Sequence, residues 1–205
     1  MSLFNMTKKK NKFRKFFSAE QGLAAIEFAL SLPLLIILTF GSVEVTIYIL
    51  TTQKLERTSL TLSDLVSQST TVTTTQLNQI IAAAGQVMLP YSFANDGYAI
   101  ISSVSRTGTS APVVSWQYRS TGTSQVSKIG LSGGTATLPS GFTMVSGENV
   151  IITEVFYNYR PILTGTIYSS SQMYRYSIYK PRLGALTVLG FLSPSTQTTR
   201  LICLS

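Results

Sequence analysis

The sequence predicts an α+β protein: a long N-terminal transmembrane helix that continues outward, followed by a small extracytoplasmic domain with a second helix and an antiparallel sheet. Three observations predict it. Residues 28–43 carry no charged side chain, are mostly Leu, Ile, Phe, Ala and Val, and are extended on both sides by "LAAI" and "VTIYIL". The stretch "TQLNQIIAAAGQVMLP" (75–90) spaces Leu77, Ile80, Ile81, Ala84 and Met88 at helical intervals. From Tyr91 onward, β-branched and aromatic runs alternate with Gly, Ser and Pro, the texture of short strands and turns.

The first 22 residues read as a basic leader. They hold Lys8, Lys9, Lys10, Lys12, Arg14 and Lys15 against Glu20, a net of +5 out of +8 for all 205 residues. A basic run can bind nucleic acid, but placed directly before an apolar span it is a topology signal that keeps the N-terminus cytoplasmic. Lys54 and Arg57 beyond the span are too few to reverse it. Residues 23–50 form the transmembrane helix, since a bilayer needs about 20 mostly apolar residues. After Phe40 the chain reads "GSVEVTIYILTTQ", with no A-x-A-like cleavage site and no lipoprotein cysteine, so this is not an ordinary secretory signal. Glu27, near the start of the span, is either hydrated at headgroup depth or retained for a purpose, because a carboxylate inside a membrane helix is costly. Glu44 lies 17 residues later, about 25 Å along a helix, near the outer interface where solvation accounts for it. Pro33 removes one helix hydrogen bond and should kink the span.

Residues 51–90 read as a helical extension and a second helix. In "TTQKLERTSLTLSDLVSQ" the apolar positions are Leu55, Leu62, Leu65 and Val66, with Leu60 broadening the stripe. The many Ser and Thr residues lower helix propensity, so fraying is expected near "STTVTTT" (69–75). Thr75 stands where the second helix would be N-capped, and Pro90 lies beyond its end. Residues 91–190 form the β-rich domain, with strands at 98–106, 112–119, 148–160 and 173–180. The third of these alternates in part, as suits a central antiparallel strand with one polar face. The stretch 120–141 reads as a mobile loop or hairpin, and 191–205 as a tail without periodicity.

The residues around the span carry a specific pattern: a basic leader, Gly22, Glu27 five residues after it, and no signal-peptidase site. This resembles a class III, type IV prepilin-like signal, and within that group the TadE-like pseudopilins of tight-adherence (Tad, or Flp) pilus systems. The matching pieces are Phe13–Phe17 of the leader, the Gly-x-x-x-x-Glu-Phe of Gly22–Phe28, the Leu-Pro core Leu32–Leu35 and the Phe-Gly-x-x-Glu of Phe40–Glu44. Major Flp pilins usually have Tyr after the Glu, where this chain has Phe28, and are far shorter, so the resemblance is to a minor or accessory subunit. It implies cutting by a prepilin peptidase between Gly22 and Leu23, and assembly contacts at Glu27 and Phe28. The implied partners are major and minor Flp pilins, the inner-membrane assembly platform and membrane lipid. The implied location is the bacterial inner membrane, crossed once. In such a chain Glu27 sits one helical turn from the new α-amine at Leu23.

Little else in the sequence points to chemistry. Histidine is absent and Cys203 is the lone cysteine, which excludes an internal disulfide, the usual zinc ligand sets and His-based acid–base catalysis. Cys203 reads as a thiol in a loose tail, with an intermolecular bridge as the alternative. Glu56, Asp64, Asp96, Glu148 and Glu154 show no paired-carboxylate spacing, and no P-loop or G-x-S-x-G elbow occurs. No cofactor, metal, nucleic acid or catalytic residue is expected. The interleaved Tyr and Arg of "MYRYSIYKPR" fit an exposed sheet face or a stacking surface for bases or sugars. The class that competes with a pilus subunit is a membrane-anchored extracytoplasmic binding or sensor domain. With the predicted topology, a cysteine placed at Ser124 is labelled by a membrane-impermeant maleimide on intact cells; labelling only after lysis would reverse the orientation.

Overall fold

The computed structural model describes residues 20–122, 125–161 and 169–190, with side chains from Leu23 onward. The leader up to residue 19, Ser124, the tail 191–205 and Cys203 lie outside the described residues. Within them the expected α+β architecture is present: a long apolar N-terminal helix, then a smaller unit with a second helix and an antiparallel four-stranded sheet.

Helix α1, Glu20–Ser67, has 48 residues and is about 72 Å long at 1.5 Å per residue. It lives in two environments. From Leu23 to Val43 its side chains project away from the rest of the chain all round the axis, and this segment is long and apolar enough to cross a membrane. From Glu44 onward one face is buried, in steps of three and four: Glu44, Thr51, Leu55, Thr58, Leu62 and Val66, with Tyr48 partly covered. Ser59, Ser63 and Ser67 are buried beside them. The face therefore differs from the leucine stripe the sequence suggests: Leu55, Leu62 and Val66 are inside, but Leu60 (41% exposed) and Leu65 (37%) turn outward. The hydroxyls tolerate burial because most bond within the helix. Thr51 Oγ1 donates to Ile47 O and Thr58 Oγ1 to Lys54 O, both at 2.8 Å. Small side chains also let the helix lie close to the sheet, where Ser63 and Ser177 hydroxyls meet at 2.6 Å and Ser177 donates to Ser59 O at 2.6 Å.

The chain leaves α1 at Ser67, forms β1 (Val72–Thr73) and enters α2 (Thr74–Met88). The N-cap is Thr73, two residues before the expected Thr75. Thr73 holds an extended backbone, as a cap must, and closes a capping box with Gln76: Gln76 N donates to Thr73 Oγ1 and Thr73 N to Gln76 Oε1. Leu77, Ile81, Ala84 and Met88 are buried as the spacing predicts. Lys54 Nζ reaches Leu89 O at 2.5 Å and ties the end of α2 to the middle of α1.

After a single turn, α3 (Phe93–Asp96), come β2 (Gly97–Ser105), β3 (Val113–Arg119), β4 (Asn149–Tyr159) and β5 (Ser171–Tyr179). Their order is β3-β2-β4-β5, antiparallel throughout. One face, with Ala99, Ile101, Trp116, Ile151, Val155, Tyr157, Tyr159 and Met173, packs under α1 and α2. The opposite face packs Val104, Val114, Val150 and Ile152 against Ile129, Ala136 and Met144. A register shift between Ser103 and Val104 puts Val114 and Trp116 on opposite faces although they are two residues apart.

The sequence reading of β4 as a strand with one polar face is corrected: Asn158 is its only exposed residue. The second face is covered by residues 125–148, the stretch read in part as a mobile loop. It is an irregular strap, joined to β3 by Val114 N→Gly134 O (3.0 Å), Gly133 N→Val114 O (2.8 Å) and Ala136 N→Pro112 O (2.8 Å). Gly130 has φ +131°, and a Cβ there would stand 2.9 Å from Thr135 O, so the strap needs glycine at that bend. The fully buried Glu154 clamps the strap, accepting bonds from Ser127 Oγ, Lys128 N (2.9 Å) and Tyr174 Oη (3.0 Å). Segment 180–188 then crosses the sheet. Leu186 O accepts from Ser103 Oγ and Trp116 Nε1, each at 2.6 Å, and Leu186 N donates to Asn149 Oδ1 at 2.8 Å. This delivers β6 (Leu189–Gly190) to pair in parallel with β1.

Three of the scattered acids pair across elements: Asp64 with Arg182, Asp96 with Arg160, and Glu148 with Lys180. The Lys180 contact holds the Glu148 carboxyl below its ordinary value. Burial, then the neighbouring Glu154 charge, raises the Tyr174 phenol well above its ordinary value. A phenol raised on folding contributes stability that is complete below the unfolded value, roughly 10, and is lost as pH rises beyond it. The expected outcome is a melting temperature that falls above about pH 10, with Tyr174→Phe reducing that alkaline loss; an unchanged slope in the variant would refute the assignment.

Candidate assembly site on the N-terminal helix

The residues singled out in the sequence all lie on the part of α1 that nothing else in the fold covers. Gly22 and Leu23 lie within α1, which is described from Glu20 onward. Leu23, Glu27 and Phe28 are exposed. Glu27 follows Leu23 by one turn, on the same side of the helix. Among the described residues no hydrogen bond or ion pair is made by its carboxylate within the fold. Pro33 lies inside α1, which continues as helix on both sides of it. The hydroxyls of this segment are satisfied locally: Ser31 Oγ donates to Phe28 O at 3.0 Å, and Thr39 Oγ1 to Leu35 O and Thr46 Oγ1 to Ser42 O at 2.8 Å. Such bonding is what a helix needs in a medium that offers no donors or acceptors.

Glu44 behaves differently from the sequence reading. It is not solvated at an outer interface; it is 3% exposed, and the Tyr159 hydroxyl donates to its Oε1. Tyr48 stands edge-on to Tyr159, ring centroids 5.4 Å apart and planes at 88°. These three side chains meet where α1 passes from its uncovered half to its docked half. The reason the sequence misses this is distance along the chain: Tyr159 is 115 residues from Glu44, and no local pattern links them. The two carboxylates thus have opposite settings, one taken up inside the fold and one exposed on the helix.

Both settings fall within one recognisable segment. Residues 22–60 are TadE-like. The match to the TadE-like protein family takes in Gly22, Leu23, Glu27, Phe28, Pro33 and Glu44, and stops before α2 and the sheet. It relates the chain to Tad pilus proteins. Neither a curated protein nor a solved structure gives a significant match. No group of three or more metal-ligating side chains gathers among the described residues.

A buried carboxylate short of a donor is destabilised by about 1–3 kcal/mol. In a double-mutant cycle on the detergent-solubilised chain, Tyr159→Phe and Glu44→Gln should couple by more than about 0.5 kcal/mol in urea unfolding. Strictly additive effects would show that the two groups stabilise the chain independently.

Proposed function

We propose that this chain is a minor pseudopilin, a structural subunit in the assembly of a Tad/Flp type IV pilus. In this reading α1 crosses the bacterial inner membrane once, with the basic leader in the cytoplasm and the sheet domain outside. A prepilin peptidase cuts between Gly22 and Leu23, and the freed helix packs among the major and minor pilins of the fibre or the assembly platform. The observation that carries the proposal is Glu27: an exposed carboxylate on the uncovered apolar half of α1, one turn after Leu23, in a TadE-like segment whose next glutamate, Glu44, is used inside the fold. An unpaired charge at the membrane edge is costly. Cutting creates an α-amine at Leu23 that can neutralise it, in the same chain or in the subunit alongside. Pairing with a neighbour's amine would also set the axial register between subunits.

Two variants test the two steps separately. Gly22→Leu should block processing, so that the intact mass of the membrane-extracted protein still includes the leader; normal cutting at the same bond would remove the class III assignment. Glu27→Ala should insert and be cut as usual but no longer co-purify with pilus subunits, while Glu27→Asp keeps part of the association. Co-purification of Glu27→Ala at the wild-type level would show that the carboxylate is simply hydrated and would leave a membrane-anchored binding or sensor domain as the better reading.

A further inference from the structure

Among the described residues the strap covers only part of the sheet's second face. The part it leaves open is made of rings, amides and cations. Tyr98 on β2, Phe156 on β4 and Tyr174 on β5 are register neighbours in one row across the sheet. Their ring centroids are spaced 5.3 and 4.9 Å apart, and Tyr176 follows Tyr174 at 6.0 Å. Phe156 is the buried floor of the row; Tyr98 and Tyr174 are partly open, and Tyr176 is 42% exposed. Beside the row the Gln172 amide donates to the Tyr98 hydroxyl and lies 3.4 Å from Asn158 Oδ1. Lys128 Nζ stands 3.9 Å over the Tyr174 ring, and Arg119 on β3 spends its guanidinium on Gln117 Oε1. Neither cation has an ion-pair partner among the described residues. The one carboxylate beneath them, Glu154, is fully buried and already accepts from three donors. Its charge offsets one cation, so the accessible face stays positive.

We propose that this open half-face binds an anionic polysaccharide, an extended chain of uronic acid units. The two accessible rings along β5, Tyr174 and Tyr176, are 6.0 Å apart, close to the length of one pyranose in an extended chain. A pyranose presents C–H groups that pack on aromatic faces, vicinal hydroxyls that pair with planar amides, and, as a uronate, a carboxylate for a cation. Tyr176 supplies the stacking ring, Gln172 and Asn158 the hydroxyl contacts, and Lys128 the counter-charge, held in place by its contact with Tyr174. Among the described residues the surface is a shallow row with an open hollow beside Asn158 and Gln172, which suits the side of a sugar chain. The proposal is independent of the pilus reading, since none of its residues lies on α1.

The test is calorimetric titration of the detergent-solubilised full chain with three probes: oligogalacturonate, neutral malto-oligosaccharide and poly-glutamate of matched charge. Oligogalacturonate should bind in a salt-sensitive way, at least about ten-fold more tightly than either of the others. Tyr176→Ala and Lys128→Gln should each weaken it about ten-fold, and Tyr176→Phe, which keeps the ring, should restore it. No binding of oligogalacturonate, equal binding of poly-glutamate, or unchanged affinity in Tyr176→Ala would each overturn the proposal.

Discussion

One helix has to satisfy two surroundings, and the rest of the structure follows from how it does so. The first half of α1 is apolar on every side, and the second half lays a narrow face of Thr, Ser, Leu and Val on the sheet. A face of large apolar residues would hold the helix further from the strands. Hydroxyls that bond one turn back remove their own desolvation cost, and their small size brings α1 close enough for Ser63 and Ser59 to bond Ser177. At the point where the docked half begins, Glu44 is taken inward by Tyr159, so the helix leaves the sheet at a defined level.

That docking leaves the second face of the sheet to be covered by something else. The two central strands, β2 and β4, carry apolar residues on both faces, and helices cover only one of them. The strap supplies the other layer without regular structure of its own, borrowing order from β3 through backbone bonds and from β4 through Glu154. A buried carboxylate with three donors is an expensive residue to lose, because each stranded donor then carries its own desolvation cost. The strap therefore stays in register with β4, and the ring-and-cation surface beside it is a fixed feature of the face.

The molecule separates a helix half that nothing else among the described residues covers from a domain whose acids are mostly paired or buried. Among the described residues Asp64, Asp96 and Glu148 are ion-paired, while Glu44 and Glu154 are buried and hydrogen-bonded. Glu27 and Glu56 have none of these settings and both lie in the segment that matches TadE-like proteins, but only Glu27 stands on the uncovered apolar half of α1.

The sequence by itself determined the elements whose signal is local. The apolar run of α1, the spacing of Leu77, Ile81, Ala84 and Met88, and the four β-rich stretches are periodic patterns within a few residues of one another, and each became the predicted element. Gly22, Leu23, Glu27 and Phe28 were singled out from a pattern equally local. What only the tertiary structure decided depends on partners far along the chain. The burial of Glu44 needs Tyr159, the inward turn of Ser63 needs Ser177, the order of the strap needs Glu154, and β6 exists only because Leu186 is held by Ser103, Trp116 and Asn149. Polar side chains announce a surface when read singly. They become interior residues only when the fold brings a donor or acceptor to each, and that pairing is written in no local pattern.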